Sequence, residues 1–458
     1  MSQKKSAKAK AVNESLPVGG EADVVVIGSG PAGIGASLAA SRKGVKVILI
    51  EKFPFLGGMS TLVPVSTWPL NTGVEAGELD LPYDGIAGEI RDRLEKLNAL
   101  ELHTTLNDGF DHIFPLPGER LVTTKWYYFE PEVLKYLYFD MLHEAKVTVM
   151  VNSFVVDTVV KDNKIEAVVV ETLTRRELIK GKIFIDTTGS ADVVSRSGAP
   201  AVLGSGEDDG VPAGLIMPAI TTFRIAGVDT DGLDMYEVAR IYEEHRSKGE
   251  IDVPLRGLFW QIVCKGVVQI FGTHVNDINP LDPHRAAFGE MEQRRQIRDI
   301  TGFLKKEIPA FRDCRVINTG VCMGMIGTRR IRGDYFMTQQ DIIEARKFED
   351  GIAVSNFRIE VWDPGEPNAR FHHVTGTWYT IPYRCLLPKE LENVIVGGSC
   401  LSGQYIAMAG WAMMPVCFKT GQAAGTAASL CIIENTLPRG ISVTELQSIL
   451  RQDGVFLG

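Results

Sequence analysis

The sequence predicts an α/β fold: a parallel sheet carrying an antiparallel meander, with a mixed α+β domain inserted into it. Three features predict it. A β-α-β unit runs from Asp23 to Glu51, three β-rich segments follow one another between Phe154 and Gly189, and a buried strand leads into a long small-residue helix after Glu392. The chain has 458 residues, of which 45% are apolar, enough for a sizeable core and for two or three domains. With 48 Lys+Arg against 57 Asp+Glu, the formal net charge is −9. That balance speaks against coating nucleic acid, which needs a dense cationic surface. The seven cysteines form no CxxC pair and no zinc-ligand spacing, so they read as scattered reduced thiols.

Residues 1–20 are polar and carry four lysines, the composition of a disordered tail. They hold no apolar run of secretory length and no twin arginine. Farther on, the most apolar stretch, Val394 to Phe418, is interrupted by Gln404 and several glycines. A soluble, cytoplasmic protein is expected. Order begins at Ala22 with DVVVIG, a continuous apolar run suited to a strand buried on both faces. Gly28-Ser29-Gly30-Pro31-Ala32-Gly33 follows, then a helical stretch of small apolar residues, then VKVILI and Glu51-Lys52. GxGxxG in this strand–turn–helix–strand context is a dinucleotide-binding fingerprint. Gly28 allows the tight turn, Gly30 lets backbone approach a pyrophosphate, and Gly33 lets helix and strand pack closely. The helix N-terminus supplies N–H groups to the phosphates. Glu51 is placed to accept ribose hydroxyls and would repel a 2′-phosphate, which disfavours NADP.

Between Trp126 and Gly189 the segment EPEVLKYLYFDMLHEA predicts an amphipathic helix with Pro131 in its first turn, and KVTVMV a short strand. FVVDTVV, KIEAVVVETL and RELIKGKIFIDTTG predict the meander. From Gly206 to Pro388 the pattern loosens into mixed helices and strands. ENVIVGG is again a buried strand, SCLSGQYIAMAG a connection, and WAMMPVCFKTGQAAGTAASLCII a helix. Its glycines and alanines permit close packing against a sheet or a flat ring, and serve plain core packing equally.

The motifs together resemble the two-dinucleotide-binding-domain flavoproteins, in particular FAD-dependent oxidoreductases distantly similar to fumarate reductase flavoprotein subunits. The resemblance rests on the front motif through Gly57-Gly58-Met59-Ser60-Thr61, on IDTTGSADVVSRSGAP, on GTRRIRGDY, and on IPYRCLLPKELENVIVGGSC with MPVCFKTGQAAGTAA. It implies a Rossmann-like FAD-binding domain (21–65, 126–205 and 389–436), a substrate or cap domain (66–125 and 206–388) and a C-terminal helix in 437–458. It further implies that Gly57 and Gly58 pass the flavin diphosphate, that Val155 offers backbone to the adenine, and that Thr188-Gly189 lies near the pyrophosphate. Gly398 and Ser399 would follow the ribityl chain, and a helix entered at Ala412-Met413-Met414 would aim N–H groups at the flavin pyrimidine edge. Where many relatives place a histidine and an arginine, this chain has Gln404, Tyr405 and Trp411, which puts a cationic substrate anchor there in doubt. No tethering histidine is found, so noncovalent FAD is expected.

Such a resemblance implies hydride transfer between a small organic metabolite and flavin N5, with an external electron acceptor or oxygen completing the cycle. A flavoprotein acting on RNA and a noncatalytic binding protein on the same fold are the competing readings. The protein then needs a proton-handling group and substrate-orienting groups. Candidates are His372 and His373, suited to base work near neutral pH, or else a structural pair. Arg329 and Arg330 can clamp a carboxylate, or form a buried ion pair with Asp334 or a neighbouring acid. Tyr379 and Tyr383 are candidate hydroxyl donors, and His103 and His112 rank lower. No metal site is expected. A homo-oligomer is compatible with the sequence.

Overall fold

The computed structural model describes residues 16–71, 83–106, 123–255, 257–325, 328–366 and 369–458. Residues 1–15 of the expected tail, and His112, lie outside the described residues. The first unit forms as β1 (Val18–Ile27), α1 (Pro31–Arg42) and β2 (Val47–Ile50), with β1 starting four residues before Ala22, inside the expected tail, because Val18 and Gly20 pair with Leu178 and Ile179. β1 and β2 pair in parallel, Val24 opposite Val47 through Ile27 opposite Ile50. All four β2 residues are buried, which is why this strand reads as an unbroken apolar run. α2 (Gly85–Lys96) and α3 (Pro131–Glu144) follow, and the Glu130 side chain caps α3 at the Glu132 N–H. β3 (Thr148–Met150) extends the parallel pairing beyond β2. The meander is β4 (Phe154–Lys161), β5 (Lys164–Glu171) and β6 (Arg176–Asp186), antiparallel throughout.

A second core lies farther along. β7 (Thr222–Ala226), β8 (Phe259–Cys264), β9 (Val267–Phe271) and β10 (Arg315–Thr319) form a sheet in the order β8-β9-β7-β10. The long helix α4 (Pro283–Glu307) starts at Asp282, whose carboxylate accepts the His284 and Arg285 N–H groups. Its buried Ile297, Ile300, Phe303 and Leu304 pack with Phe223, Ile225, Val268 and Ile270 into this core.

The chain then returns. β11 (Gly351–Ser355) pairs with β14 (Tyr379–Pro382), and β12 (Ile359–Val361) pairs with β13 (Arg370–His372). β15 (Val394–Val396) runs parallel to the last residues of β6, so β6 pairs with the meander at one end and with β15 at the other. α5 (Tyr405–Trp411) and α6 (Met414–Ile433) complete the site-bearing elements. The fully buried members of the second core all fall within residues 223–314, with Trp362 packed against them, whereas Ile352, Ile359, Val361, Tyr379 and Ile381 pack into the first core. The segment after Ile331, placed by sequence pattern with the inserted domain, thus has its apolar side chains against the FAD-side helices.

Two expectations about α6 change. By length and composition α6 can cross a membrane, although the pattern around Gln404 suggested that no segment could. The helix begins after that interruption, and 89% of its most apolar window is buried inside the protein. Two of its glycines face α1. A Cβ on Gly421 would fall 2.0 Å from the Ala32 oxygen, and one on Gly425 2.2 Å from the Ala36 oxygen. The two backbones touch there, which only glycine allows.

Candidate functional site

The site is built where β1, β6 and β15 end side by side. Gly28 has φ +94, a conformation open to glycine, and donates its N–H to the Ile50 oxygen at 2.8 Å. A Cβ on Gly33 would lie 1.8 Å from the Gly28 oxygen, so α1 packs directly on the turn. Gly30 differs from both. It is the N-cap of α1, its backbone is extended, and a Cβ there meets no heavy atom within 4 Å. The turn therefore presents a backbone face with room in front of it at a helix N-terminus, the cradle a pyrophosphate requires.

Gly57 donates to the Ser29 oxygen at 3.0 Å, and a Cβ on Gly58 would come within 3.0 Å of the Gly30 Cα. The double glycine thus docks against the first glycine turn. Met59 and Ser60 continue it as a short 3-10 turn, with the Ser60 hydroxyl on the Gly57 oxygen at 2.7 Å. Glu51 is 6% exposed. Its Oε2 accepts from the Ser29 N–H (2.9 Å) and hydroxyl (2.6 Å), and its Oε1 from the Phe53 N–H (2.9 Å). Of roughly four acceptor positions on a carboxylate, two hold the glycine turn, one holds the chain at Phe53, and one is left over. Lys52 is exposed, its ammonium 5.4 Å from the Phe53 ring centre. Val155 is buried near the start of β4, two residues after Ser153, whose N–H bonds the Glu51 oxygen at 3.0 Å.

Asp186, missed by motif reading, organises the end of β6. It is fully buried, and its carboxylate accepts from the N–H groups of Thr188, Val193 and Val194 and from the Thr188 hydroxyl. Burial pushes its carboxyl above the usual range. The loop 188–194 is held so that Gly189 (φ +74) meets Ser399, whose hydroxyl bonds the Gly189 oxygen at 3.3 Å. Gly398 (φ +90) donates to the Thr420 hydroxyl at 3.1 Å. The segments expected along one cofactor are therefore neighbours. One expectation shifts: the Ala412 N–H is donated to the Met408 oxygen and closes α5. α6 starts at Met414 with Met413 as N-cap and no side-chain cap, so the orphan N–H groups belong to Met413, Met414 and Val416.

The catalytic candidates disperse. Arg330 is 1% exposed and gives its guanidinium to the Gly403 oxygen (2.9 Å), the Gly204 oxygen (2.8 Å) and Asp209 (3.0 Å). Arg329 bonds the Ser190 oxygen, the Ser195 hydroxyl and Asp192. Asp334 pairs instead with Arg439. The ion-pair reading of both arginines thus holds, with Asp192 and Asp209 as the acids, and the carboxylate clamp does not. Tyr379 is fully buried, its hydroxyl on the Gly410 oxygen at 2.6 Å, and the Tyr383 hydroxyl bonds the Pro438 oxygen. Neither is placed to serve a substrate.

His372 lies on β13 and His373 just beyond it. Burial pulls both imidazoles below their ordinary range, and the Arg358 guanidinium adds to the drop at His373. On β12, alternation puts Ile359 and Val361 in the first core while Glu360 turns the other way. The Arg358 guanidinium stands 3.6 Å from the Phe371 ring centre, and Phe371 is opposite Glu360 in the register. Glu360 accepts from the Trp362 Nε1 at 3.0 Å, and burial pushes its carboxyl up. The Trp362 ring in turn meets Phe259, which packs on the second core, and His274, at 6.4 and 5.7 Å between centroids. Arg358, Glu360 and His373 therefore face the junction of the two cores. FRIEVW carried the signal: polar residues alternating with buried aliphatics, an unusual strand face for a core.

His274 is buried, and burial pushes its imidazole down to about 4 against a smaller opposing pull from Asn276. The unfolded chain takes up a proton below about pH 6.5 while the folded protein does not, so this contribution to stability is lost as pH falls. Between pH 7 and 4 the expected loss is on the order of 3 kcal/mol, with His372 and His373 adding slope of the same sign. Denaturant titrations across that range check it. A His274→Gln protein should lose this share of the slope, on the order of 3 kcal/mol, and an unchanged slope would contradict the assignment.

Sequence and structure comparisons agree with this geometry. A 61-residue stretch is 44% identical to the fumarate reductase (cytochrome) of Shewanella frigidimarina, covering 13% of this chain and 10% of that protein. Another, of 78 residues, is 38% identical to 3-oxosteroid 1-dehydrogenase from Mycobacterium tuberculosis, covering 15% and 14%. These matches span only about a tenth to a seventh of the relatives. Over nearly the whole chain, the fold is similar to a geranylgeranyl bacteriochlorophyll reductase-like protein from Thermoplasma acidophilum, with a TM-score of 0.50, 12% identity, and 95% of this chain and 84% of that one covered. It is equally similar to p-nitrophenol 4-monooxygenase from Pseudomonas putida, with a TM-score of 0.50, 12% identity and coverages of 94% and 84%. The sequence model of the FAD dependent oxidoreductase family matches residues 23–450, and the chain belongs to that family of FAD-dependent enzymes.

Proposed function

We propose that this enzyme moves a hydride between a small organic metabolite and N5 of noncovalently held FAD, in the cytoplasm. FAD, once bound, supplies the two-electron chemistry. The observation that supports the reading is the open face at Gly30, beside a Glu51 with acceptor capacity left over. Gly28, Gly30, Gly33, Gly57 and Gly58 would hold the diphosphate, Glu51 and Val155 the adenosine, and Gly189, Gly398 and Ser399 the ribityl side. The N–H groups of Met414 and Val416 would favour negative charge at the pyrimidine edge. The Arg358–Glu360 face would orient the metabolite, and His373, beside Arg358 and neutral near pH 7, would take or return its proton.

Purified protein should be yellow and release FAD, not FMN, on heating. Anaerobic bleaching against a metabolite panel then identifies the substrate. With a bleaching substrate in hand, His373→Ala should slow flavin reduction at least about a hundredfold while FAD stays bound. A near wild-type rate in both His373→Ala and His372→Ala would make the pair structural.

A further inference from the structure

Lys419 is the one charged residue in α6, and it is buried. Its Nζ lies 3.1 Å from Asp84 Oδ2, and the two side chains are 5% and 7% exposed. Burial pulls the Lys419 ammonium below its ordinary range, and Asp84 opposes that pull. Stability does not explain the pair. A buried ion pair is often no more stabilising than apolar side chains of similar volume, and the N-terminal end of a helix favours anions over cations. Nor is the pair needed to fasten α2 to α6, because Gln422 Oε1 already accepts the Ile86 N–H at 2.9 Å.

The surroundings give the pair a direction. A cavity of about 30 Å³ lies at the first turn of α6, lined by Met413, Pro415, Val416 and Lys419 and bounded by Asn356 and Phe357. That is room for a water or two. Asp84 borders instead the groove along α2, with Glu89, Arg91 and Arg93. The cation thus stands toward the start of α6 and the anion behind it. That start carries the orphan N–H groups, and Trp68 holds it in place, its Nε1 donating to the Met414 Sδ at 3.3 Å. Lys419 is about 7.5 Å along the helix axis from Met414, at about 1.5 Å per residue. Across roughly 10 Å of protein with an effective dielectric of about 20, one unit charge shifts an equilibrium by about tenfold.

We propose that Lys419 is a positioning residue for the redox step: its charge, held by Asp84 behind the first turn of α6, stabilises the negative charge that a hydride arriving at flavin N5 leaves on the pyrimidine edge. It acts through that turn without touching the flavin, and it raises the reduction potential. The proposal rests on the oxidoreductase reading above. The test uses the FAD-loaded enzyme at pH 7, its two-electron potential measured by equilibration with xanthine, xanthine oxidase and a reference dye. Lys419→Gln removes the charge and keeps a donor for Asp84. It should lower the potential by about 30 mV or more, the two-electron equivalent of tenfold. Lys419→Met combined with Asp84→Asn removes both charges and should melt no lower than wild type. Its potential should lie between the other two, because the anion goes with the cation. If Lys419→Gln holds no FAD, the double variant decides, since its potential must still fall below wild type. The proposal is overturned if Lys419→Gln binds FAD at the wild-type potential or a higher one. It is overturned equally if the double variant falls as far as the single one, which would make the pair a packing device. A wild-type protein that takes up no FAD would instead overturn the oxidoreductase reading.

Discussion

Gly30→Val should give a protein that folds, melts within about 1 kcal/mol of wild type, and carries no flavin. The new Cβ meets no protein atom within 4 Å, and the extended backbone at Gly30 accepts it without strain. What it does occupy is the space in front of the α1 N-terminus, where a diphosphate must approach the N–H groups. Gly33→Ala is the internal contrast. Its Cβ would sit 1.8 Å from the Gly28 oxygen, a backbone atom that cannot swing aside, so a loss above about 3 kcal/mol is expected. Flavin absorbance after gel filtration, with circular dichroism melts of the same samples, separates the two effects. Stoichiometric FAD in Gly30→Val would mean that the pyrophosphate passes elsewhere.

Arg330→Ala should cost about 3–5 kcal/mol, the range for breaking a buried pair by removing one partner. Asp209 is 1% exposed, and its carboxylate also receives the Gly206 and Tyr405 N–H groups. Without the guanidinium its charge is left in a dry interior, and the oxygens of Gly204 and Gly403 lose their donor. Those groups tie the 204–209 loop to the entry of α5, so the damage should spread to the chain leading into α6. Denaturant melts measure the loss. If stability is unchanged and only substrate affinity falls, Arg330 serves the substrate after all.

How much of this was legible depended on how local the determining contacts are. The glycine turn, both flanking strands and the meander were readable because their residues answer to neighbours in the same unit: Gly28 to Ile50, β4 to β5, β5 to β6. The C-terminal helix was readable as a helix. Its start was not, because a hydrogen bond from Ala412 back to Met408 ends one helix before Met414 begins the next. Nothing in WAMMP marks that break except Pro415, which suits the first turn of a helix as readily as it ends one.

The sequence by itself determined the cofactor half: strand, glycines, helix, strand and Glu51 dictate a diphosphate cradle whatever surrounds them. Only the tertiary structure decided the rest. Arg329 and Arg330 read the same in sequence whether they meet a substrate or Asp192 and Asp209, because those acids lie 137 and 121 residues away. Arg358, Glu360 and His373 form one face only because β13 pairs with β12, and they meet His274 only because Trp362 lies against it. Long-range burial sets the energy of a polar group, and no local pattern encodes that.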